Sequence, residues 1–268
     1  MENLKTCYII NFYLGDRRKS TPEYETDKLS LLKKQIEYLS SVSHNLSQVV
    51  FNFNLREEDY FYISEIFKIT PKKIGSANIV VSVRPNIGMS YGAWSDLFVK
   101  YQTEFDYYIF NEDDYFFVEP NWDQYLIAKY KNSPNCGYLC MHVRNPALWN
   151  GYQKHSGHSS GIASTENLLK VYNEHNCLPH NATPTNYIKG VNAQDYREGE
   201  NSQNIFSFAF IKLGMNVLDI SEDYRLQFSM TEPHDPDIWR LYWWNDKDLI
   251  LPANLIFNAE HRWYSSWD

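Results

Sequence analysis

The chain has 268 residues, 43% of them hydrophobic, with only 11 Gly and 11 Pro, a composition that excludes a disordered or fibrous protein and suits one large unit with a substantial core. Lys and Arg number 25 against 33 Asp and Glu, a net charge of −8. That balance argues against nucleic acid as a partner, because affinity for a phosphate backbone comes from clustered cations that release counterions.

Cys7 to Tyr13, rich in β-branched and aromatic residues, reads as a first strand that runs into a loop at Gly15-Asp16-Arg17-Arg18. Leu29, Leu32, Ile36 and Leu39 recur at helical steps, with Thr26 or Asp27 placed to cap the N-terminus. Val49 to Asn54 is a second strand, a short element covers Tyr60 to Ile69, and Ala77 to Val83 is a third strand stopped by Arg84-Pro85-Asn86-Ile87-Gly88. Ala93, Trp94, Leu97, Phe98 and Tyr101 mark an amphipathic helix, and Tyr107 to Phe110 a fourth strand. Alternation at this spacing implies right-handed βαβ units and a mostly parallel sheet that binds ligands beyond the carboxyl ends of its strands.

The second half is more mixed. Asn121 to Lys131 reads as a helix, Gly137 to Val143 as a strand, Thr165 to Asn173 as a capped helix and Glu200 to Leu213 as a helix stopped by Gly214. Strands follow at Val217 to Ile220 and Arg225 to Met230, and long polar segments cover Asn145 to Ser159 and Pro179 to Glu198. No linker divides the chain. The expected organisation is a single domain over 1–268, with a nucleotide-binding half to about 118, an acceptor half over about 119–235, and an aromatic-rich tail or lid over 236–268.

The fourth strand runs directly into Glu112-Asp113-Asp114. Adjacent carboxylates at a strand end repel one another unless a cation or solvent relieves them, and hard oxygen ligands suit Mg²⁺ or Mn²⁺ completed by phosphate oxygens and water. A solvated acidic turn is the structural alternative. Cys7, Cys136, Cys140 and Cys177 form neither a disulfide framework nor a zinc knuckle, and His155-x-x-His158 lacks the glutamate of a zinc-protease helix.

On YIINFY, VVFNFN, Asn86-x-Gly88-x-Ser90, YYIFNEDD, HSSGIAS and GENSQNIFSFAFIKLG, over about residues 7 to 230, the chain resembles the GT-A glycosyltransferases. The resemblance implies a Rossmann-like α/β fold with a mixed, mostly parallel central sheet flanked by helices. It also implies a metal-dependent transfer of sugar from a nucleotide-diphosphate donor, a UDP- or GDP-sugar, to a hydroxyl of a glycan or lipid-linked acceptor. In that pattern Asp114 binds the Mn²⁺ or Mg²⁺ that bridges the diphosphate, Glu112 faces the ribose or donor sugar, and Asp113 orients the turn. A metal offsets charge that develops on the leaving diphosphate, and an acceptor hydroxyl attacks the anomeric carbon once a base takes its proton.

The family's acidic pair at the start of the late helix is Gly199-Glu200-Asn201 here, a departure that leaves Glu200 as the expected general base of an inverting reaction, with Glu198 and Asp195 as substitutes. Glu200 equally suits the helix macrodipole. Tyr13 is placed to stack on a base and Arg17 to reach the diphosphate, while Asn52 and Asn54, at the end of the second strand, are expected to hydrogen-bond the base where relatives often carry an acid. Arg84 and Asn86 follow the third strand at the same edge and are expected to contact the phosphate or ribose, and Gly88 permits close backbone approach. His234 is the expected late metal ligand, in preference to His261. Trp149, Tyr152, His158 and Ser160 are expected on the acceptor side, and Trp239, Tyr242, Trp243 and Trp244 as an aromatic wall or a docked core tail.

No apolar run reaches the ~18 residues of a spanning helix, and Met1-Glu2-Asn3-Leu4-Lys5 lacks the apolar stretch of a secretory signal. The expectation is a cytoplasmic protein, acting in the cytosol or peripherally at the cytosolic membrane face. Three other functions remain open: a noncatalytic carbohydrate-binding protein, a sugar-phosphate nucleotidyltransferase, and a glycoside hydrolase. A nucleotidyltransferase shares the sheet and the metal but calls for a Gly-rich phosphate loop after the first strand, which NFYLGDRR is not. A hydrolase needs only paired carboxylates about 5 to 9.5 Å apart.

Overall fold

Strand β1, Thr6–Phe12, is buried along its whole length because it lies inside the sheet and under helices on both faces, which is why its sequence is apolar at nearly every position. The computed structural model describes residues 4–15, 27–113, 115–117, 120–140, 143–144, 155–156, 160–183, 198–219 and 257–259. In chain order β1 is followed by α1 (Ser30–Ser41), β2 (Gln48–Leu55), a 3-10 turn (Glu57–Tyr62), α2 (Ile63–Ile69), β3 (Lys73–Ile74), β4 (Ala77–Pro85), α3 (Met89–Tyr101), β5 (Tyr107–Glu112) and β6 (Tyr115–Phe117). Then come α4 (Trp122–Asn132), β7 (Cys136–Cys140), β8 (Val143–Arg144), β9 (His155–Ser156), β10 (Gly161–Ser164), α5 (Thr165–His175), α6 (Glu198–Lys212), β11 (Asn216–Asp219) and β12 (Phe257–Ala259).

Eight strands form one sheet in the order β11-β7-β10-β5-β1-β2-β4-β3. Its centre, β5-β1-β2-β4, is parallel throughout, and β7 and β11 also pair in parallel. β10 enters antiparallel between β5 and β7, and β3 antiparallel beside β4. The fold is therefore mixed α/β with a mostly parallel central sheet flanked by helices. Both halves of the chain supply strands to that sheet. No helix among the described residues is long and apolar enough to cross a membrane.

Side-chain alternation along each strand divides the core in two. Tyr8, Ile10, Phe51, Phe53 and Ile109 pack with Leu31, Leu32 and Leu39 of α1, Ile66 of α2 and Trp122 and Leu126 of α4. Cys7, Ile9, Val50, Tyr108 and Phe110 pack on the other face with Trp94 and Phe98 of α3, Leu168 of α5 and Phe206 and Phe210 of α6.

Some sequence boundaries move. β4 runs through Arg84 and Pro85, paired with Asn54 and Leu55 of β2. β3 pairs only with Ala77 and Asn78, so the far end of β4 is an edge on that side, where proline's missing N–H breaks no ladder. α1 has no side-chain cap, and Leu29 is its cap residue. Asp27 acts earlier, its Oδ1 accepting the Leu29 amide at 2.9 Å and its Oδ2 the Lys33 ammonium at 2.6 Å; Thr26 lies outside the described residues. α3 starts at Met89, after Gly88 at φ 72°, and α5 is capped by Ser164, whose hydroxyl accepts the Asn167 amide. The expected strand Arg225 to Met230 lies outside the described residues.

Candidate functional site at the carboxyl edge of the parallel strands

On the face covered by α3, each parallel strand turns from apolar to polar as it reaches its carboxyl end. Cys7 and Ile9 give way to Asn11, Val50 to Asn52 and Asn54, Val80 to Ser82 and Arg84, and Phe110 to Glu112. The register brings these together, with Asn11 opposite both Asn52 and Glu112 and Asn54 opposite Arg84. Buried amides are costly in such a place unless hydrogen-bonded; the amide nitrogens here are, while the Asn52 Oδ1 is buried without a partner. Asn52 Nδ2 donates to Asn11 Oδ1 at 3.0 Å and to Asn54 Oδ1 at 3.2 Å.

The band holds the start of α3. Asn11 Nδ2 donates to the Ser90 carbonyl at 3.0 Å and Asn54 Nδ2 to the Met89 carbonyl at 3.2 Å. The Ser90 hydroxyl donates to Glu112 Oε1 at 2.7 Å. Arg84 spans the same corner: Nη1 donates to Asn54 Oδ1 at 2.9 Å, Nε to Asp96 Oδ2 at 2.9 Å, and Nη2 to the Ile87 carbonyl at 3.0 Å. Asn86 is exposed on the loop between β4 and α3.

The acidic turn is tied from several directions. Asp113 is buried, and its Oδ2 accepts the Tyr13 amide at 3.1 Å. Asn111, on the opposite face from Glu112, donates through Nδ2 to the Tyr8 hydroxyl at 2.6 Å and the Tyr115 carbonyl at 2.8 Å, and accepts the Ser160 hydroxyl at 2.7 Å. Burial pushes the Tyr8 phenol far up, against the opposing effect of its Asn111 hydrogen bond, so it stays neutral. Ser160 is thus a buried support of this turn and not an open acceptor wall, because its hydroxyl is spent on Asn111.

Tyr13 follows β1, half-buried, its ring lying across Gly15, where any Cβ would collide with it. Arg56 sits over the same ring at 6.0 Å, fixed by Asp59 through Nε at 2.9 Å and Nη2 at 3.3 Å. On the far side His180 packs against Gly88, where a Cβ would lie 2.5 Å from Nδ1. Burial holds the His180 imidazole below its ordinary value, with Asp96 opposing and Arg84 adding to the effect. From here the chain reaches α6: the Asn181 amide donates to the Ser202 hydroxyl at 3.1 Å. Glu200 belongs to the first turn of α6, two residues before this contact. The segment 180–183 thereby carries the start of α6 to the rim that also holds Gly88 and Ser90.

Glu112, Asp113, Asn54, Arg84 and Tyr13 are thus gathered on one strand edge, with the α6 start beside it. Arg17, Asp114, His234, His261, Asp195, Trp149, Tyr152, His158, Trp239, Tyr242, Trp243 and Trp244 lie outside the described residues. Among the described residues no group of three or more His, Cys, Asp or Glu is placed to hold a metal. Glu112 and Asp113 are engaged separately, one by Ser90 and one by the Tyr13 amide, so these two acids do not make up a metal site by themselves. Sequence reasoning missed Asn11, Ser90, Arg56 and His180. A polar residue breaking the apolar alternation of YIINF is the one signal that pointed to Asn11.

No protein-family model matches the chain, and no curated protein matches it in sequence. Among solved structures it is similar to a cytidylyltransferase from Leptospira borgpetersenii, at 13% identity and TM-score 0.43, covering 81% of this chain and 75% of that one. It is also similar to the 4-diphosphocytidyl-2C-methyl-D-erythritol synthase of Anaerococcus prevotii, at 10% identity and TM-score 0.48, covering 82% of this chain and 87% of that one.

Proposed function

We propose that the chain is a nucleotide-dependent transferase that moves a sugar from a UDP- or GDP-sugar to a hydroxyl of a glycan or lipid-linked acceptor. The observation that carries this reading is the conversion of four neighbouring parallel strands, on one face, from apolar body to polar carboxyl end. Open α/β sheets bind ligands at such edges. Tyr13, with Arg56 over its ring, is the platform for the base. Glu112 faces the ribose or sugar, and a ligand hydroxyl would compete with Ser90 for Oε1. Asn54 and Arg84 brace the start of α3 and thereby shape the donor pocket, and Asn86 and Arg17 are its outer contacts. Glu200 takes the proton of the acceptor hydroxyl. Mn²⁺ or Mg²⁺, with Asp114 and His234 as ligands, belongs to the proposal as a requirement to be measured.

A second reading is transfer of a nucleotidyl group to a sugar phosphate, for which the same strand edge would serve; the name of the Leptospira protein specifies cytidylyl transfer. The single glycine in Leu14-Gly15-Asp16-Arg17-Arg18 supports sugar transfer over it, because a triphosphate is cradled by a loop with several glycines. Thermal shift against UDP, GDP, UDP- and GDP-sugars and CTP, each with and without Mn²⁺ or Mg²⁺, separates the two, since a ligand of the native state raises its melting temperature. Stabilisation by a nucleoside diphosphate and its sugar is expected. Stabilisation by CTP alone would replace the first reading with the second, and indifference to every nucleotide would overturn both.

A further inference from the structure

The inward stripe of α1 is Leu31, Leu32, Gln35 and Leu39, and Gln35, at 1% exposed, is as buried as the leucines around it. An amide there is costly unless its hydrogens are placed. Both are: Gln35 Nε2 donates to the Asp113 carbonyl at 2.9 Å and to the Tyr115 carbonyl at 2.7 Å. Only an NH₂ group can donate twice to carbonyls, so the chemistry itself fixes which end of the amide faces the turn. These two carbonyls stand on either side of position 114 in the chain. The same turn is held by Asn111 at the Tyr115 carbonyl and by the Tyr13 amide at the Asp113 carboxylate.

We infer that Gln35 is a positioning residue of the acidic turn, acting through the main chain from the face opposite Ser90 and Glu112. This rests on the reading that the turn serves a nucleotide. Consecutive carboxylates push the turn open, and a clamp on neutral peptide carbonyls resists that push without consuming any carboxylate oxygen. The site is then organised before its ligand arrives, which lowers the ordering cost of binding.

The test is Gln35→Met in the full chain, an apolar side chain of similar length that leaves both carbonyls without this donor. Hydrogen exchange is followed without ligand over a peptide spanning 110–117, and UDP and GDP are titrated in the presence of Mn²⁺. Exchange over 110–117 is expected to rise about tenfold while β1 and β2 keep their protection. The dissociation constant of the nucleotide that binds the wild type is expected to rise about tenfold. Unchanged exchange over 110–117 overturns the inference, and so does unchanged affinity in a variant whose turn has loosened. A wild-type chain that binds neither nucleotide overturns the underlying reading and the role of Gln35 in it, a failure seen before any variant is made. Should Gln35→Met not fold, Gln35→Glu, which keeps the shape and puts acceptors where the donors stood, is read by the same two measurements.

Discussion

The two faces of the central sheet each bury a tryptophan, and they use it differently. Trp122 at the start of α4 lies flat on Phe117 of β6, centroids 3.9 Å apart at 4°, with Tyr8 edge-on at 5.0 Å. It anchors the strand by which the chain leaves the acidic turn. Trp94 of α3 stacks on Phe110 at 4.7 Å and 25°, and meets Phe206 of α6 at 5.8 Å. It ties together the two helices whose first turns form the rim. One face steadies the main chain of the turn, through Trp122 and Gln35, and the other gathers the polar side chains of the strand edge.

Trp122→Ala and Trp94→Ala are expected to have the largest effects, each costing about 3–5 kcal/mol in urea denaturation as a fully buried ring is lost. A loss below about 1 kcal/mol at either position would break the comparison, since that face would then be held by something else. Asn111→Ala should cost about 1–3 kcal/mol, because it strands the Ser160 hydroxyl and the Tyr8 phenol together. Calorimetry or denaturant titration reads it. Ser90→Ala removes one hydrogen bond at the half-buried rim and should cost about 1 kcal/mol by the same titration.

A pH series sharpens the contrast further. Burial holds His44, His175 and His180 below their ordinary value, so the unfolded chain takes up protons first as pH falls. Their neutral forms favour the fold fully above about pH 6.5, and that contribution is lost as pH drops through and below this value toward the folded-state values. The melting temperature is expected to fall between pH 7.5 and 5.5, and His180→Asn to flatten part of the slope. The smallest expected effect is Lys170→Ala, whose exposed pairing with Glu166 at 2.8 Å contributes no more than about 0.5 kcal/mol.

Much of the frame was legible because periodicity is local. β1, β2, β5, α4 and α5 lie within a few residues of where their apolar patterns place them. Boundaries moved where the tertiary surroundings decided them: Pro85 stays in β4, paired with Leu55 on one side, because β3 does not reach it on the other, and α3 begins at Met89, where Asn11 and Asn54 hold its first carbonyls. The acidic strand end was visible as three consecutive letters. The groups that brace it were not, since Gln35 and Ser90 reach it across 78 and 22 residues of chain. Gln35 also interrupts a leucine stripe in which an apolar residue is the ordinary occupant.

The outermost strand beside β4 is the two-residue β3, with Lys72 and Lys73 exposed on it and next to it. An open sheet margin is a template on which a foreign strand can polymerise, and brevity and positive charge are the usual safeguards. β3 supplies both over Ala77 and Asn78; beyond it β4 is itself the margin, which ends at Pro85, a residue with no N–H to offer an added strand.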